Sequence, residues 1–245
     1  MINRFKQKSG FTLVELVMMI VIVGILATIA TRKMSDTVED ARYQQTKKEL
    51  DHLAYAIVGN PELYSKGARS DFGYVGDVGA LPPNLNALVT NPGSYSTWNG
   101  PYIDSGSSGT DHLTDAWGTA YTFTDTLVRS SGSGSNIDKL LANSSSELLS
   151  NTVSGFIVDA SRDIPGSTYR DSLQIHLTYP NGSGGTTTTT VSPDADGSFS
   201  ISSIPIGNQT LQVIYIPDTD TVSYTVCVLP GRTARLDIVF PADLW

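Results

Sequence analysis

The sequence has little material for covalent or metal chemistry. Its 245 residues include one cysteine, Cys227, so no intramolecular disulfide can form. Three histidines, His52, His112 and His176, leave little for an imidazole-based centre. There is no G-x-S-x-G elbow, no H-E-x-x-H pair, no P-loop and no dinucleotide fingerprint, so the chain is expected not to be an enzyme. Charged residues make up 16% of the chain, with 16 Lys+Arg against 24 Asp+Glu and a formal charge of −8. Such a chain lacks the clustered cations that a phosphate backbone requires, which excludes nucleic acid as a partner. Asp111, His112 and Asp115 form the one His/Asp cluster. Beside Asp115-Ala116-Trp117-Gly118 it reads as a solvated loop with a capping aspartate. Cys227, inside the apolar run Val226–Leu229, reads as a buried small residue.

What is abundant lies at the N-terminus. Residues 1–10 carry Arg4, Lys6 and Lys8 and no acid. Residues 11–30 are then apolar except for Glu15. A helix of 20 residues spans about 30 Å, the thickness of a bilayer core. The cations on its N-terminal flank predict that this end stays cytoplasmic. A signal peptide would have a shorter apolar run and a small-x-small cleavage site. A plain single-span anchor leaves Glu15 unexplained, because a carboxylate in an apolar span is costly and takes a partner.

Ser9-Gly10-Phe11-Thr12-Leu13-Val14-Glu15-Leu16 resembles the class III signal of type IV pilins and type II secretion pseudopilins. The resemblance implies cleavage by a prepilin peptidase between Gly10 and Phe11 and N-methylation of Phe11. It also implies a role for Glu15 in assembly, paired with the terminal amine of a neighbouring subunit. An ammonium partner offsets much of the cost of burying that carboxylate. Many family members carry a proline some twenty residues after the cut. Here Arg32 sits near that place and no proline occurs between 11 and 60.

The helix is expected to continue to Val58. Tyr43, Leu50, Leu53, Ala54 and Ile57 share one face, and Gly59-Asn60-Pro61 is a stop signal. Residues 60–125 read as loops with short strands. Gly79–Leu88, then Trp98-Asn99-Gly100-Pro101-Tyr102-Ile103, then Asp115-Ala116-Trp117-Gly118-Thr119-Ala120-Tyr121 follow an order similar to the major pseudopilin of type II secretion (general secretion pathway protein G). Ala116 stands where that family has proline. Trp98, Tyr102, Trp117 and Tyr121 are expected to pack a small sheet onto the helix. Tyr121–Thr124 alternates as a strand, residues 130–135 form a low-complexity loop, and 136–149 read as a short helix. Major pseudopilins bind calcium near their C-terminal loops. That resemblance makes Asp125, Asn136 and Asp138 weak calcium candidates, although hard cations want six or more oxygens.

Residues 155–245 have another texture. Seven alternating segments begin near 155, 173, 186, 197, 210, 223 and 233, separated by turns such as Pro180-Asn181-Gly182 and Pro193-Asp194. They suggest a β-sandwich. Asp196-Gly197-Ser198-Phe199-Ser200-Ile201, Ile204-Pro205-Ile206-Gly207 and Leu211-Gln212-Val213 resemble carboxypeptidase-regulatory-like domains. Asp194-x-Asp196-Gly197 reads as a hairpin turn, and Thr186–Thr190 as an exposed or edge strand.

The expected fold is α+β: a cleaved leader (1–10), a membrane and assembly helix (11–58), a pseudopilin-like head (59–150) and an all-β sandwich (155–245). The expected function is a structural subunit of a type IV pilus-like or secretion pseudopilus filament. It would start as a single-pass precursor in the bacterial inner membrane and end as a periplasmic or extracellular filament. Expected partners are further copies of the chain through their N-terminal helices, prepilin peptidase, an inner-membrane assembly platform and other pilins. No cofactor is expected beyond the calcium candidates. The alternative is a minor or tip subunit whose sandwich is an adhesive module.

Overall fold

The computed structural model describes residues 10, 12–106, 110–243 and 245. The chain divides into two compact units between Gln45 and Thr46. Helix α1, Leu13–Val58, runs through that division. In the first unit Thr12 caps the helix: its hydroxyl accepts the Glu15 N–H at 3.3 Å and its carbonyl the Leu16 N–H at 3.1 Å. Every large apolar side chain from Leu13 to Ile29 is exposed. A helix that is apolar all round is made for a non-aqueous surrounding, and this one is long and apolar enough to cross a membrane. Thr28 satisfies its hydroxyl on the Gly24 carbonyl at 2.8 Å, the usual device for a polar side chain within such a helix.

The second unit begins with the last turns of α1. Here the helix becomes one-sided: Thr46, Leu50, Leu53, Ala54, Ala56 and Ile57 are buried. Tyr43, expected on the same stripe, is 40% exposed in the first unit. The helix stops at Gly59, whose φ of +80° suits glycine and whose α-hydrogen faces the Asp71–Phe72 backbone too closely for a Cβ.

The segments after the stop cover the stripe. Strands β1 (Tyr64–Ser65) and β2 (Ala68–Arg69) form a short ladder, followed by helix α2 (Gly73–Val78) and two 3-10 turns, Leu85–Leu88 and Asp111–Leu113. Strands β3 (Thr122–Phe123), β4 (Leu127–Ser130) and β5 (Ile137–Leu140) make an antiparallel sheet, and helix α3 spans Ser145–Leu149. The head core gathers Leu50, Leu53 and Ile57 with Tyr74, Val75, Leu88, Val128 and Leu148. Burying each such side chain is worth about 1.5–3 kcal/mol. The expected helix over 136–149 is corrected. Residues 131–136 turn β4 back on itself, so 137–140 pair with it as a strand, and only the last five residues are helical.

The aromatic residues pack as expected. Trp98 donates to the Ala87 carbonyl at 2.9 Å, and Tyr102 stands edge-on to Trp98 and Tyr74 at 5.6 and 5.7 Å. Tyr121 donates to Glu49 of α1 at 2.7 Å. Burial and that hydrogen bond push the Tyr121 hydroxyl well above the ordinary range for a phenol.

Asp115 corrects the expectation of a solvated loop. Its residue is only 4% exposed, and its carboxylate accepts from the Trp117 and Thr119 amides at 3.0 and 2.9 Å, the Ser130 hydroxyl at 2.6 Å and the Gly132 amide at 3.0 Å. Burial alone would raise its pKa, but these bonds outweigh it and hold it below the usual carboxylate range. The loop folds around the aspartate, which accepts from all four of these donors. The next amide, of Ala116, donates to the buried Thr46 hydroxyl of α1 at 3.2 Å.

The β-sandwich follows. Its strands are β6 (Asn151–Val158), β7 (Leu173–Pro180), β8 (Thr186–Val191), β9 (Ser198–Ile204), β10 (Gly207–Tyr215), β11 (Asp220–Val228) and β12 (Thr233–Val239), with a short helix α4 (Gly166–Tyr169) before β7. One sheet has the order β11-β10-β7-β8, the other β12-β6-β9, with β12 parallel to β6. Inward residues such as Val153, Ile157, Ile175, Leu177, Leu211, Val213, Val228 and Ile238 form a second core. The turn at 194–197 is the expected hairpin, closed by the Gly197 amide on the Asp194 carbonyl at 2.9 Å. The threonine run is β8, an edge strand.

Head and sandwich share packing. Ile206, between β9 and β10, lies in the head core, and Cys227 and Leu229 pack against it. Cys227 is half-buried, its thiol pushed up chiefly by burial. The Ile206 amide donates to Leu148, Gly182 to Val78 and Ser96 to Gly184, at 2.8–2.9 Å. Arg69 joins three segments. Its guanidinium donates to the carbonyls of Val58 and Gly59 at 2.6 and 3.0 Å and of Asp71 at 2.8 Å, while its own carbonyl accepts from Asn208 of β10 at 3.1 Å.

Two predictions follow from these buried groups. Asp115→Ala strands several buried donors and should destabilise by about 3 kcal/mol, within the usual cost of unsatisfied buried groups, read as a drop in melting temperature. The stabilisation by Asp115 is present above the unfolded pKa of about 3.9; it should fade as pH falls through the lower folded value, and the variant should lack that acid-side loss. Arg69→Ala uncaps α1 and should cost about 2–4 kcal/mol in a denaturant titration; a change below about 0.5 kcal/mol would count against the capping role.

Candidate assembly segment and cation residues

Thr12 to Glu15 reads Thr-Leu-Val-Glu, the T-x-x-E signature of a helix start, and the Thr12 hydroxyl makes the corresponding bond to the Glu15 amide. The spacing was legible in the sequence, and the capping role it encodes is an addition to the assembly role expected of Glu15. It places the carboxylate in the first turn of α1, where a helix dipole favours negative charge. Glu15 is exposed in the single chain, as are the apolar residues that follow it. Gly10 is described without regular structure, while Phe11 lies outside the described residues.

The three calcium candidates do not come together. Asp138 pairs across the β4–β5 ladder with Arg129, which donates to its two oxygens at 2.6 and 2.7 Å. That pairing lowers the Asp138 pKa. Asp125 lies before β4, beyond the Leu127–Leu140 pair, whereas Asn136 lies beyond the Ser130–Ile137 pair. The ladder between them places the two at opposite ends of a sheet rising about 3.4 Å per residue. A guanidinium in the middle and donors at both ends do not fit a cation that needs six oxygens. Among the described residues, no group of three or more His, Cys, Asp or Glu could hold a metal ion.

Residues 5–31 match the family described as the prokaryotic N-terminal methylation motif. The N-terminal segment is similar to that of type IV pilins and pseudopilins. The chain is 29% identical over 111 residues to type II secretion system core protein G of Xanthomonas campestris pv. campestris, a match covering 45% of this chain and 64% of that protein. It therefore spans less than two thirds of that relative. Partial likeness extends to the dioxygenase domain of a dioxygenase carbohydrate-binding fusion from Streptomyces sp. SirexAA-E, at 14% identity and a TM-score of 0.30 over 39% of this chain and 82% of that one. The major pilin subunit BcpA of Bacillus cereus gives 13% identity and a TM-score of 0.26 over 48% and 37%. At these scores neither likeness bears on fold or function.

The Arg129–Asp138 pair carries a prediction. Melting of the full chain should be the same in excess calcium and in EGTA. A calcium-dependent rise in melting temperature that Asp138→Asn abolishes would overturn it.

Proposed function

We propose that this protein is a structural subunit of a pilus-like filament, most closely of the type II secretion pseudopilus kind. The observation that carries the reading is the coincidence of the methylation motif over residues 5–31 with a helix whose apolar residues are exposed on every side. In this reading a prepilin peptidase removes residues 1–10 on the cytoplasmic face and Phe11 becomes the N-methylated terminus. Before assembly, α1 holds the chain in the inner membrane with its N-terminus cytoplasmic. During assembly on an inner-membrane platform, its apolar surface moves from lipid onto the helices of neighbouring subunits and other pilins.

Glu15 has a physical task in that transfer. An acid within an apolar span is costly, and the terminal ammonium of a neighbour is the partner that offsets it. A subunit lacking that partner is held at a cost, and adding the subunit to the filament relieves it. The head and sandwich carry no catalytic step in this reading; the work is polymerisation. The likeness to core protein G supports placement in a secretion filament.

Mass spectrometry of the native chain tests this. A mature mass beginning at N-methyl-Phe11 is expected, with the leader retained in Gly10→Val. Glu15→Val should be processed normally yet enter sheared filaments at less than a tenth of the wild-type level. A chain that still begins at Met1, or is cut after residue 30, would overturn the reading.

A further inference from the structure

A cleft of about 400 Å³ opens at the edge of the sandwich, beside Gly79 of the head. That volume is within the range of small-molecule sites, about 300–1,000 Å³. The β7–β8 hairpin contributes Tyr179, Asn181, Thr186 and Thr187, and the end of β9, from the other sheet, contributes Ser203.

No residue lining the cleft carries a charge, in a chain whose formal charge is −8. A phosphate or an acidic chain needs cations that this cleft lacks. An ammonium group or a hard metal ion needs carboxylates, and it lacks those too. A hydrocarbon tail would cover the hydroxyls and the amide without giving them partners. The chemistry left is that of a neutral ligand rich in hydroxyls.

The lining is amphipathic in the way a sugar ring is. A pyranose has an apolar face of C–H groups and a rim of hydroxyls. The half-buried Tyr179 offers aromatic area, and its hydroxyl is paired with that of Thr189 at 2.9 Å, so the ring is held before a ligand arrives. Pro180 and Pro205, both buried, add rigid apolar contact. Thr186, Thr187 and Ser203 are exposed, and each hydroxyl can both donate and accept. Asn181 uses its carbonyl oxygen to accept from the Ser183 and Gly185 amides at 2.8 and 3.1 Å, which fixes the side chain and leaves its NH2 group to donate. Because β8 is an edge strand, its outer backbone groups extend the row of donors and acceptors past the cleft.

We propose that this cleft binds a neutral polysaccharide, with one sugar ring against Tyr179 and the next ones along the threonine edge of β8. The sandwich then attaches the chain to a glycan. This role goes beyond the filament reading and stands independently of it.

The test uses the full chain in micelles of a detergent without a sugar headgroup, because an alkyl glycoside would compete. The chain is mixed with suspensions of cellulose, chitin, starch and mannan, and with a gel of the anionic polysaccharide pectate, and the fraction left in solution is measured. At least one neutral polysaccharide should deplete the chain equally at low and high salt, since no ion pair is involved. Asn181→Asp keeps both accepted amide bonds but puts a charge in the cleft, and Thr187→Glu puts one there from β8. Each should weaken binding about tenfold, with the melting temperature unchanged. Thr210→Glu, on the opposite face of the same sheet, should bind as the unaltered chain does. No depletion by any neutral polysaccharide, depletion by pectate alone, or undiminished binding by Asn181→Asp and Thr187→Glu would overturn the proposal.

Discussion

The fold of residues 46–245 turns on one guanidinium. A helix ends with carbonyls that have no partner within it, and α1 ends inside the protein, where water cannot serve. Arg69 satisfies the Val58 and Gly59 carbonyls. Its ring-stacking contact with Phe72, 4.6 Å from centroid to guanidinium carbon, and its bond to Asp71 fix the turn that follows. Its own carbonyl then takes the amide of Asn208 from the sandwich. Burial lowers the Arg69 pKa, yet the group remains a cation at any pH the protein meets, so the clamp does not titrate. The stop of the helix, the start of the head and the docking of the sandwich are therefore one arrangement.

Asp115 does for the loops what Arg69 does for the helix end. Both are charged groups buried among backbone partners, and both convert segments without regular structure into ordered ones. The consequence reaches α1 twice, through Thr46 to Ala116 and through Glu49 to Tyr121. A third tie, the ion pair of Asp51 with Lys139 of β5, lies at the surface and adds little by comparison. The helix stripe supplies the apolar area, and these polar contacts set its register against the loops.

Much of this was legible in the sequence, for reasons that differ by segment. The apolar run, the Gly59-Asn60-Pro61 stop and the seven strands follow local rules of period and punctuation, and each appears where those rules place it. The strand at Ile137–Leu140 did not announce itself, because a four-residue strand next to a serine and glycine loop has no period long enough to read. Arg69 was illegible as an anchor: its partners are backbone groups, which every residue has, so no residue pattern marks it; Asp115 was legible as a capping residue, but its burial and its bond to Ser130, fifteen positions on, were not. Thr12 was legible too, since the T-x-x-E spacing to Glu15 marks a helix start.

A chain that assembles through one helix, as proposed for this protein, must not assemble through its sheets. The sandwich leaves strand edges at β8, β11, β9 and β12, and exposed edges invite pairing with other chains. β8 is the most open of them, and its five threonines are β-branched enough to hold a strand yet offer no apolar strip. Two hydroxyls are turned inward along the sheet, Thr188 to Thr178 and Thr189 to Tyr179, at 2.8 and 2.9 Å. The polar edge thus costs the sandwich little stability while removing the apolar surface that edge-to-edge association would bury. Among the described residues the large continuous run of exposed apolar side chains is that of α1, and the proposed self-association is left to it.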